Sequence, residues 1–574
     1  MKSCLSFLVS LFFILSCKNS FPQPSNFNVY PGFPLQYTYS SQFQKHGGIF
    51  CNMDSDADME IVFGSGENLY AVNLDGSSVP GWPKTFAQFY EIGWSPSFGD
   101  IDGDGEGEIV AGVGGFGGGM ICAFEKDGSE VSGFPIPFET YIDTPVLADV
   151  DKDNILEIVI GSKSGKMFIF KGDGTIYPGW PYQMDGFTSS SASVGDINND
   201  GVMDVLCESL TKFYAWNKDG KLLPGFPIEA YAAASTGIFS YSAPLLVDID
   251  NDDTLEIAFC SLSDEIFSAR GIAYLIRHDG TFMPGWPNFS DFWMFSTPIA
   301  ADIDGDKELE IIVADYLGST APAFHIYAYN IDGSMVEGFP HGPFWGIANQ
   351  LTIADIDNDN QYEIIFDENI QQEGRGRYQA IELDGSPVEG WPLYISGNTS
   401  IHQPLLGDLN NDGFLDLILG GVDNVTDEVF IYAWNTNLPY IRQTIVNPMY
   451  QFDATHNGLY IDPTITSAND DIITNNDMKI PVNYILAQNY PNPFNPLTKI
   501  DFNLPEQSIL RIEIVNILGE VVDVLTDNVF EKGNHSKFWN AGNNTSGIYL
   551  AILKAESIES GKSYTRTIKM SLIR

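Results

Sequence analysis

The sequence predicts an all-β chain: one four-stranded unit repeated eight times, with a small β-sandwich after it. Three observations predict this. A nine-residue acidic pattern recurs eight times at intervals of about 50 residues. Seven Asp-Gly pairs, each between apolar runs, alternate with it. Glycine is abundant (55 of 574 residues), aromatic residues reach 13%, and no long stretch shows helical periodicity. That composition favours short strands joined by tight turns.

The elements of a unit follow in order. The acidic patterns begin at Asn52, Asp100, Asp149, Asp196, Asp248, Asp302, Asp355 and Asp408. Each is preceded by small or apolar residues and followed by an apolar run such as Ile109-Val110-Ala111 or Ile158-Val159-Ile160, which reads as strand, acidic turn, strand. A second strand pair surrounds an Asp-Gly turn, the first at Asp75-Gly76 and the last at Asp384-Gly385. Glycine takes the positive φ of such a turn without steric cost. A Gly-aromatic-Pro triplet then closes the unit, as in Gly81-Trp82-Pro83 and Gly133-Phe134-Pro135. Each unit is a four-stranded antiparallel meander, the blade of a β-propeller.

There are eight triplets but only seven Asp-Gly turns. The extra triplet, Gly32-Phe33-Pro34, precedes the first acidic loop, and none follows Tyr432-Ala433-Trp434 in the eighth unit. The simplest account is that the N-terminal segment supplies the outer strand of the last blade and closes the ring. Eight blades follow, with seven or an open array as alternatives. The predicted layout is a signal peptide at 1–20, the propeller at 28–445, a linker at 446–484 and a C-terminal domain at 485–574.

Within each acidic loop, positions 1, 3, 5 and 9 carry oxygen-bearing side chains. The sets are Asn52, Asp54, Asp56, Glu60; then Asp100, Asp102, Asp104, Glu108; then Asp149, Asp151, Asp153, Glu157; then Asp196, Asn198, Asp200, Asp204. The later ones are Asp248, Asp250, Asp252, Glu256; then Asp302, Asp304, Asp306, Glu310; then Asp355, Asp357, Asp359, Glu363; then Asp408, Asn410, Asp412, Asp416. Position 7 is free (it is Ile155 in one loop and Phe414 in another), so there only a backbone carbonyl can matter. Four side chains, a carbonyl and water supply the six to eight hard oxygens that Ca²⁺ takes. Up to eight structural calcium ions are expected. Asp and Asn also shape turns through local hydrogen bonds, and a single loop of this kind would carry little weight. Eight loops holding the same four positions point to a cation.

The chain carries 76 acidic and 28 basic residues, a net charge of −48. That field argues against nucleic acid and anionic membrane as partners. Residues 1–20 read as a signal peptide, with Lys2 ahead of an apolar core from Leu5 to Leu15. Cys17 follows Ile14-Leu15-Ser16, which loosely matches a lipoprotein box, so anchoring through Cys17 is the alternative to free export. Cys51, Cys122, Cys207 and Cys260 are widely spaced and read as small buried apolar residues rather than zinc ligands, with one disulfide as the alternative in an exported protein.

The acidic loops resemble the FG-GAP/VCBS repeats of integrin α-type propellers over roughly residues 30–440, although Gly-Trp/Phe-Pro stands where that family has its Phe-Gly and Gly-Ala-Pro signature. A second stretch runs through Asn489-Tyr490-Pro491-Asn492-Pro493-Phe494-Asn495-Pro496, Ile517-Leu518-Gly519-Glu520 and Ser546-Gly547-Ile548-Tyr549. Residues 485–574 are similar to type IX secretion (Por) sorting domains, small β-sandwiches. That resemblance implies export across both membranes of a Gram-negative bacterium, with the type IX machinery as partner and release or surface attachment as outcome.

No catalytic constellation stands out. His46, His278, His325, His341, His402 and His456 are scattered, and Gly112-x-Gly114-x-x-Gly117 reads as a flexible loop because no helix follows it. The calcium loops and Asp-Gly turns should share one face. The opposite face gathers Tyr90, Trp94, Phe187, Phe239, Tyr241, Trp293, Phe295 and Trp345, which suit a glycan or protein ligand or else pack between blades. The expectation is a non-enzymatic binding or adhesion module. A calcium-dependent polysaccharide lyase or glycoside hydrolase is the alternative.

Overall fold

A computed structural model describes residues 27–463, apart from 39–46, 55, 88–89, 116–117, 139–142, 189, 230–236, 240–241, 264–269, 317–321, 348–349, 369–374, 400–402, 424–425, 427 and 461. It also describes 485–486, 494 and 496–573, apart from 505–506, 517–519, 531–532, 543 and 559–562. The expected signal peptide, Cys17, His46, His402, Gly117, Tyr241, Asn489–Pro493 and Ile517–Gly519 lie outside the described residues. The chain divides into two compact units, Met1–Asn475 and Asn476–Arg574.

Among the described residues the first unit contains eight antiparallel sheets, one for each acidic loop. The first sheet is typical: Ile49–Cys51, Glu60–Ser65, Asn68–Val72 and Lys84–Thr85 pair in sequence order. The first two strands flank the acidic loop, and the third and fourth flank the Asp-Gly turn. The fold is all-β and propeller-like, as the repeat predicts.

The eighth sheet carries the seam. Its own strands are Leu405–Gly407, Phe414–Asp423 and Glu428–Pro439. Its outer edge comes from the other end of the unit: Asn28 and Val29 pair with Asn435 and Trp434, and Leu35–Thr38 pair with Ile431–Glu428. Apolar packing follows the same circuit. Leu206 and Phe213 of the fourth sheet pack with Ile257 and Phe259 of the fifth. Ile365 and Tyr378 of the seventh pack with Leu417 and Trp434 of the eighth. The eighth then meets the first, where Leu405, Ile418 and Ile431 share a core with Ile49, Phe50 and Val62.

Gly-aromatic-Pro triplets clamp most sheets to the next. In the first five sheets the glycine lies against the following sheet's Asp-Gly turn, so that Gly81 meets Asp127, Gly179 meets Asp219 and Gly225 meets Asp279, whereas a Cβ at Gly338 of the sixth would meet nothing within 4 Å. At the seam, Gly32 meets Asp75 of the first sheet in the same way. In three of the tryptophan triplets the indole N–H reaches the same turn: Trp82 Nε1 donates to Lys126 O at 2.9 Å, Trp180 Nε1 to Lys218 O at 2.8 Å and Trp286 Nε1 to Ile331 O at 2.9 Å. Gly225 has φ +91, and a Cβ there would overlap the Asp279 carbonyl. Gly225→Ala should therefore cost about 2–3 kcal/mol through strain and overlap. The check is a chemical denaturation curve, and Gly201→Ala, where a Cβ meets nothing within 4 Å, is the control for φ alone.

Two expectations are corrected. Gly112 and Gly114 do not lie in a flexible loop but inside strand Glu108–Gly115, opposite Ile121 and Gly119. Tyr90–Ile92 pairs along the same stretch, so the strand is held on both edges. The expected linker, 446–484, is not a linker in its first part. Residues 444–460 run across the first strands of the sheets, and Val446, Tyr450, Gln451, Phe452 and His456 are buried. Successive carbonyls meet successive sheets: Ala454 O accepts from Phe98 N, Thr455 O from Leu147 N, Asn457 O from Val194 N and Gly458 O from Leu246 N, all at 2.8–2.9 Å. Val446 N donates to Ile353 O and Pro448 O accepts from Leu406 N, which brings the total to six of the eight first strands. The segment plugs the place where those strands converge.

In the second unit, Ile485–Leu486, Leu497–Leu504 and Gly533–Asn540 form one sheet. Val521–Phe530, Ser508–Asn516, Gly547–Ser557 and Ser563–Leu572 form the other. Ile500, Phe502 and Trp539 from the first sheet fill a core with Leu510, Ile512 and Met570 from the second.

Candidate metal centres

The acidic loops share a common plan. The position-nine acid is buried in all eight, from Glu60 to Asp416; it opens the second strand of its sheet in the first seven and is the third residue of strand Phe414–Asp423 in the eighth. One of its oxygens accepts the backbone N–H of position 2: Met53 to Glu60 at 2.6 Å, Ile101 to Glu108 at 2.8 Å, Ile356 to Glu363 at 2.6 Å, and similarly in the other five loops at 2.8–3.3 Å. Position 1 caps the turn, as where Asp100 Oδ1 and Oδ2 accept from Gly103 N and Gly105 N. Position 5 accepts from the backbone N–H of position 7, as in Asp104 with Glu106.

Positions 4 and 6 were not singled out in the sequence, yet they make the turn. Both have positive φ in loops 2 to 8, for example Gly103 and Gly105, Asn199 and Gly201, and Asn358 and Asn360. Two left-handed residues fold the backbone so that positions 1, 3 and 9 converge in loops 2, 3 and 5, and positions 1, 3, 5 and 9 in loop 7. Gly and Asn tolerate that conformation, while Lys152, Asp253 and Lys307 adopt it at a cost of about 1–2 kcal/mol each. The recurrence of Gly and Asn at these two positions was the available signal.

The convergence brings one oxygen from each of several carboxylates within 4.8 Å of one another. The groups include Asp54, Asp56, Glu60; Asp100, Asp102, Glu108; Asp149, Asp151, Glu157; Asp248, Asp250, Glu256; and Asp355, Asp357, Asp359, Glu363. Glu108 Oε1, Asp204 Oδ1 and Glu363 Oε1 are buried and have no hydrogen-bond partner. A buried carboxylate oxygen without a donor is costly unless a cation meets it. The residues therefore fit a hard cation held by positions 1, 3 and 9 in loops 2, 3 and 5, by positions 3, 5 and 9 in loop 1 and by all four in loop 7. In the first loop the Asp58 carbonyl, at position 7, faces Asn52 Nδ2 at 3.3 Å and so also points across the loop.

Burial, with the neighbouring loop carboxylates adding to it, pushes the position-nine acids up to about 7 in Glu60, Asp204, Glu256, Glu310 and Asp416, and to about 8 in Glu108, Glu157 and Glu363. An acid raised in the folded state holds its proton there between its unfolded value and 7–8. Folding then binds protons, and stability falls as pH rises through that window. The cation-free protein should thus melt lower at pH 8.5 than at pH 5.5, and a bound cation should flatten the dependence. Melting curves at the two pH values, with and without chelator, check this.

Histidines and opposite-face aromatics have structural contacts. His456 places its ring nitrogens 2.8 Å from Tyr450 O and 2.9 Å from Pro96 O, and His341 Nε2 lies 2.9 Å from Leu383 O. Trp94 is buried, and Phe295 packs edge-on against Trp293 and Tyr316. Phe187 is exposed, with Lys163 Nζ 5.8 Å from its ring. Cys51, Cys122, Cys207 and Cys260 are buried free thiols.

Comparison with known proteins adds two family matches. Residues 149–207, which span the third and fourth acidic loops, match an FG-GAP-like repeat. Residues 488–567 match a secretion system C-terminal sorting domain. No curated protein matches the chain. Among solved structures, the Vibrio cholerae biofilm matrix protein Bap1 is similar at 12% identity over 76% of this chain and 98% of that one, with a TM-score of 0.49. Saccharomyces cerevisiae Sqt1 is similar at 12% identity over 70% and 98%, TM-score 0.43. PorZ, a surface component of the type IX secretion system of Porphyromonas gingivalis, is similar at 12% identity over 90% and 69%, TM-score 0.31. The chain therefore carries an FG-GAP-like repeat within a propeller-like unit and a secretion-system sorting domain of the Por type, which indicates export by type IX secretion to the cell surface or beyond.

Proposed function

We propose that the chain is an exported, calcium-stabilised β-propeller of eight blades that acts as a non-enzymatic binding or adhesion module. The observation that carries the calcium reading is the partnerless buried oxygen of Glu108, Asp204 and Glu363, aimed into loops of common geometry. Calcium suits these sites better than magnesium, because the ligands are carboxylates and carbonyls on a pliable loop rather than a tight octahedron. Eight blades are supported by eight sheets, by the N-terminal strands on the last of them, and by the apolar core that joins the eighth sheet to the first.

The cation would supply only charge compensation. Three or four carboxylates per loop repel one another, and the ion turns that repulsion into a link between the first two strands of a sheet. The loop carboxylates are committed to these sites, and the six first-strand contacts of residues 444–460 fill the centre. A ligand is then best sought on the face opposite the acidic loops, where Phe187 and the Trp293 cluster lie. A glycan array probed with the calcium-loaded protein and with chelated protein tests this reading. Binding without product release supports a module, and release of shortened sugars would favour a lyase or hydrolase instead.

A further inference from the structure

The eighth acidic loop differs from the others in what already fills it. In loops 2, 4 and 7 an oxygen of the position-nine acid has no partner. In loop 8 the position-nine acid has both oxygens occupied: Oδ2 of Asp416 accepts from Leu409 N at 2.9 Å, and Oδ1 accepts a 2.6 Å hydrogen bond from the Tyr30 hydroxyl. The Tyr30 oxygen in turn accepts from the side-chain amides of Asn410 at 3.2 Å and Asn435 at 3.4 Å. The same two amides donate to Asp412 Oδ2, the position-five acid, at 3.1 and 3.0 Å.

Tyr30 reaches this spot because of the seam. It follows Asn28–Val29, which pair with Asn435 and Trp434, and its own N–H donates to Ala433 O at 3.0 Å. The hydroxyl is thus delivered by the N-terminal strand that completes the eighth sheet. Loop composition does not explain the difference. Loop 4 has the same Asn at position 3 and Asp at position 9, yet its Asp204 Oδ1 is partnerless. A tyrosine also reaches loop 3, where Tyr177 donates to Asp151 Oδ2 at 3.1 Å, but Asp151 Oδ1 keeps no partner.

A cation needs six to eight oxygens turned toward one point. In loop 8 a hydroxyl hydrogen and two amide groups already point at the oxygens of positions 5 and 9. We infer that the eighth loop is not a cation site: the Tyr30 hydroxyl and the Asn435 amide take the ion's place, so the seam is latched by hydrogen bonds that persist without calcium. The unit then holds at most seven ions. The count rests on the calcium reading of the other loops, whereas the latch does not.

Bound calcium per chain is measured at saturation for the wild-type chain, Glu108→Gln, Asp416→Asn and Asp408→Asn, each checked for folding by circular dichroism. Glu108→Gln should lose one ion, and the two loop-8 variants should lose none. Asp408→Asn keeps the Tyr30–Asp416 hydrogen bond, so it reports on the loop even where Asp416→Asn fails to fold. Loss of one ion in either loop-8 variant overturns the assignment. Melting of Tyr30→Phe in chelator tests the latch separately, with a drop of about 2 °C expected and an unchanged midpoint overturning it. Absence of calcium from both wild type and Glu108→Gln would sink the calcium reading, and the Tyr30→Phe midpoint would still decide the latch.

Discussion

Stripping calcium with a chelator should lower the melting midpoint of the propeller-like unit by about 10 °C. With free calcium at ten times its dissociation constant, each independent site contributes ~1.4 kcal/mol to folding. Seven such sites sum to on the order of 10 kcal/mol, and a unit of this size should lose about 1 °C for each. The effect is large because many weak sites act together, not because any one is tight. Scanning calorimetry with and without chelator measures it. A midpoint that does not move, with no calcium found by metal analysis, would remove calcium from the account of this fold.

The second large effect concerns residues 444–460. A chain ending at residue 440 should fail to show a cooperative transition, whereas one ending at 463 should keep it. The reason is that six first strands hydrogen-bond to this segment. Without it those backbone groups would face a void or water in the centre of the unit. A milder variant isolates the polar part. Asn447 is buried, accepts from Ile353 N at 2.9 Å and donates to Leu351 O at 2.7 Å. Asn447→Ala leaves both backbone groups unpaired and should cost about 2–4 kcal/mol, at ~1–2 kcal/mol for each unsatisfied group. Urea denaturation reads the change, and a loss below about 0.5 kcal/mol would show that water replaces the side chain without penalty.

The chelator and truncation results are separable. Chelation should weaken the first seven acidic loops, leaving the eighth loop and the plug in place. Truncation removes the plug and leaves the loops. Calcium added to the shortened chain should therefore not restore cooperative folding.

Much of the candidate site was legible in the sequence because it is local. Positions 1, 3, 5 and 9 lie within nine residues, and the position-nine acid accepts the N–H of a residue seven positions before it, as Glu108 does from Ile101. The pairing of the N-terminal segment with the last unit could also be inferred, since a triplet without its own acidic loop at one end and a unit without its triplet at the other required each other. The plug could not be read in this way. Residues 444–460 repeat nothing, and their partners are remote: Asn447 meets Leu351 across 96 positions and His456 meets Pro96 across 360.

The sequence by itself determined the acidic loops, the four-stranded units and the pairing of the N-terminal segment with the last of them, because each rests on a pattern repeated along the chain or counted at its ends. The tertiary structure alone decided that the expected linker is a plug, and that the eighth loop is filled by Tyr30, which stands 386 positions from Asp416. Both depend on where the fold brings distant segments together. Neither an oxygen-rich loop nor a polar stretch carries in its own residues the identity of the group that will occupy it.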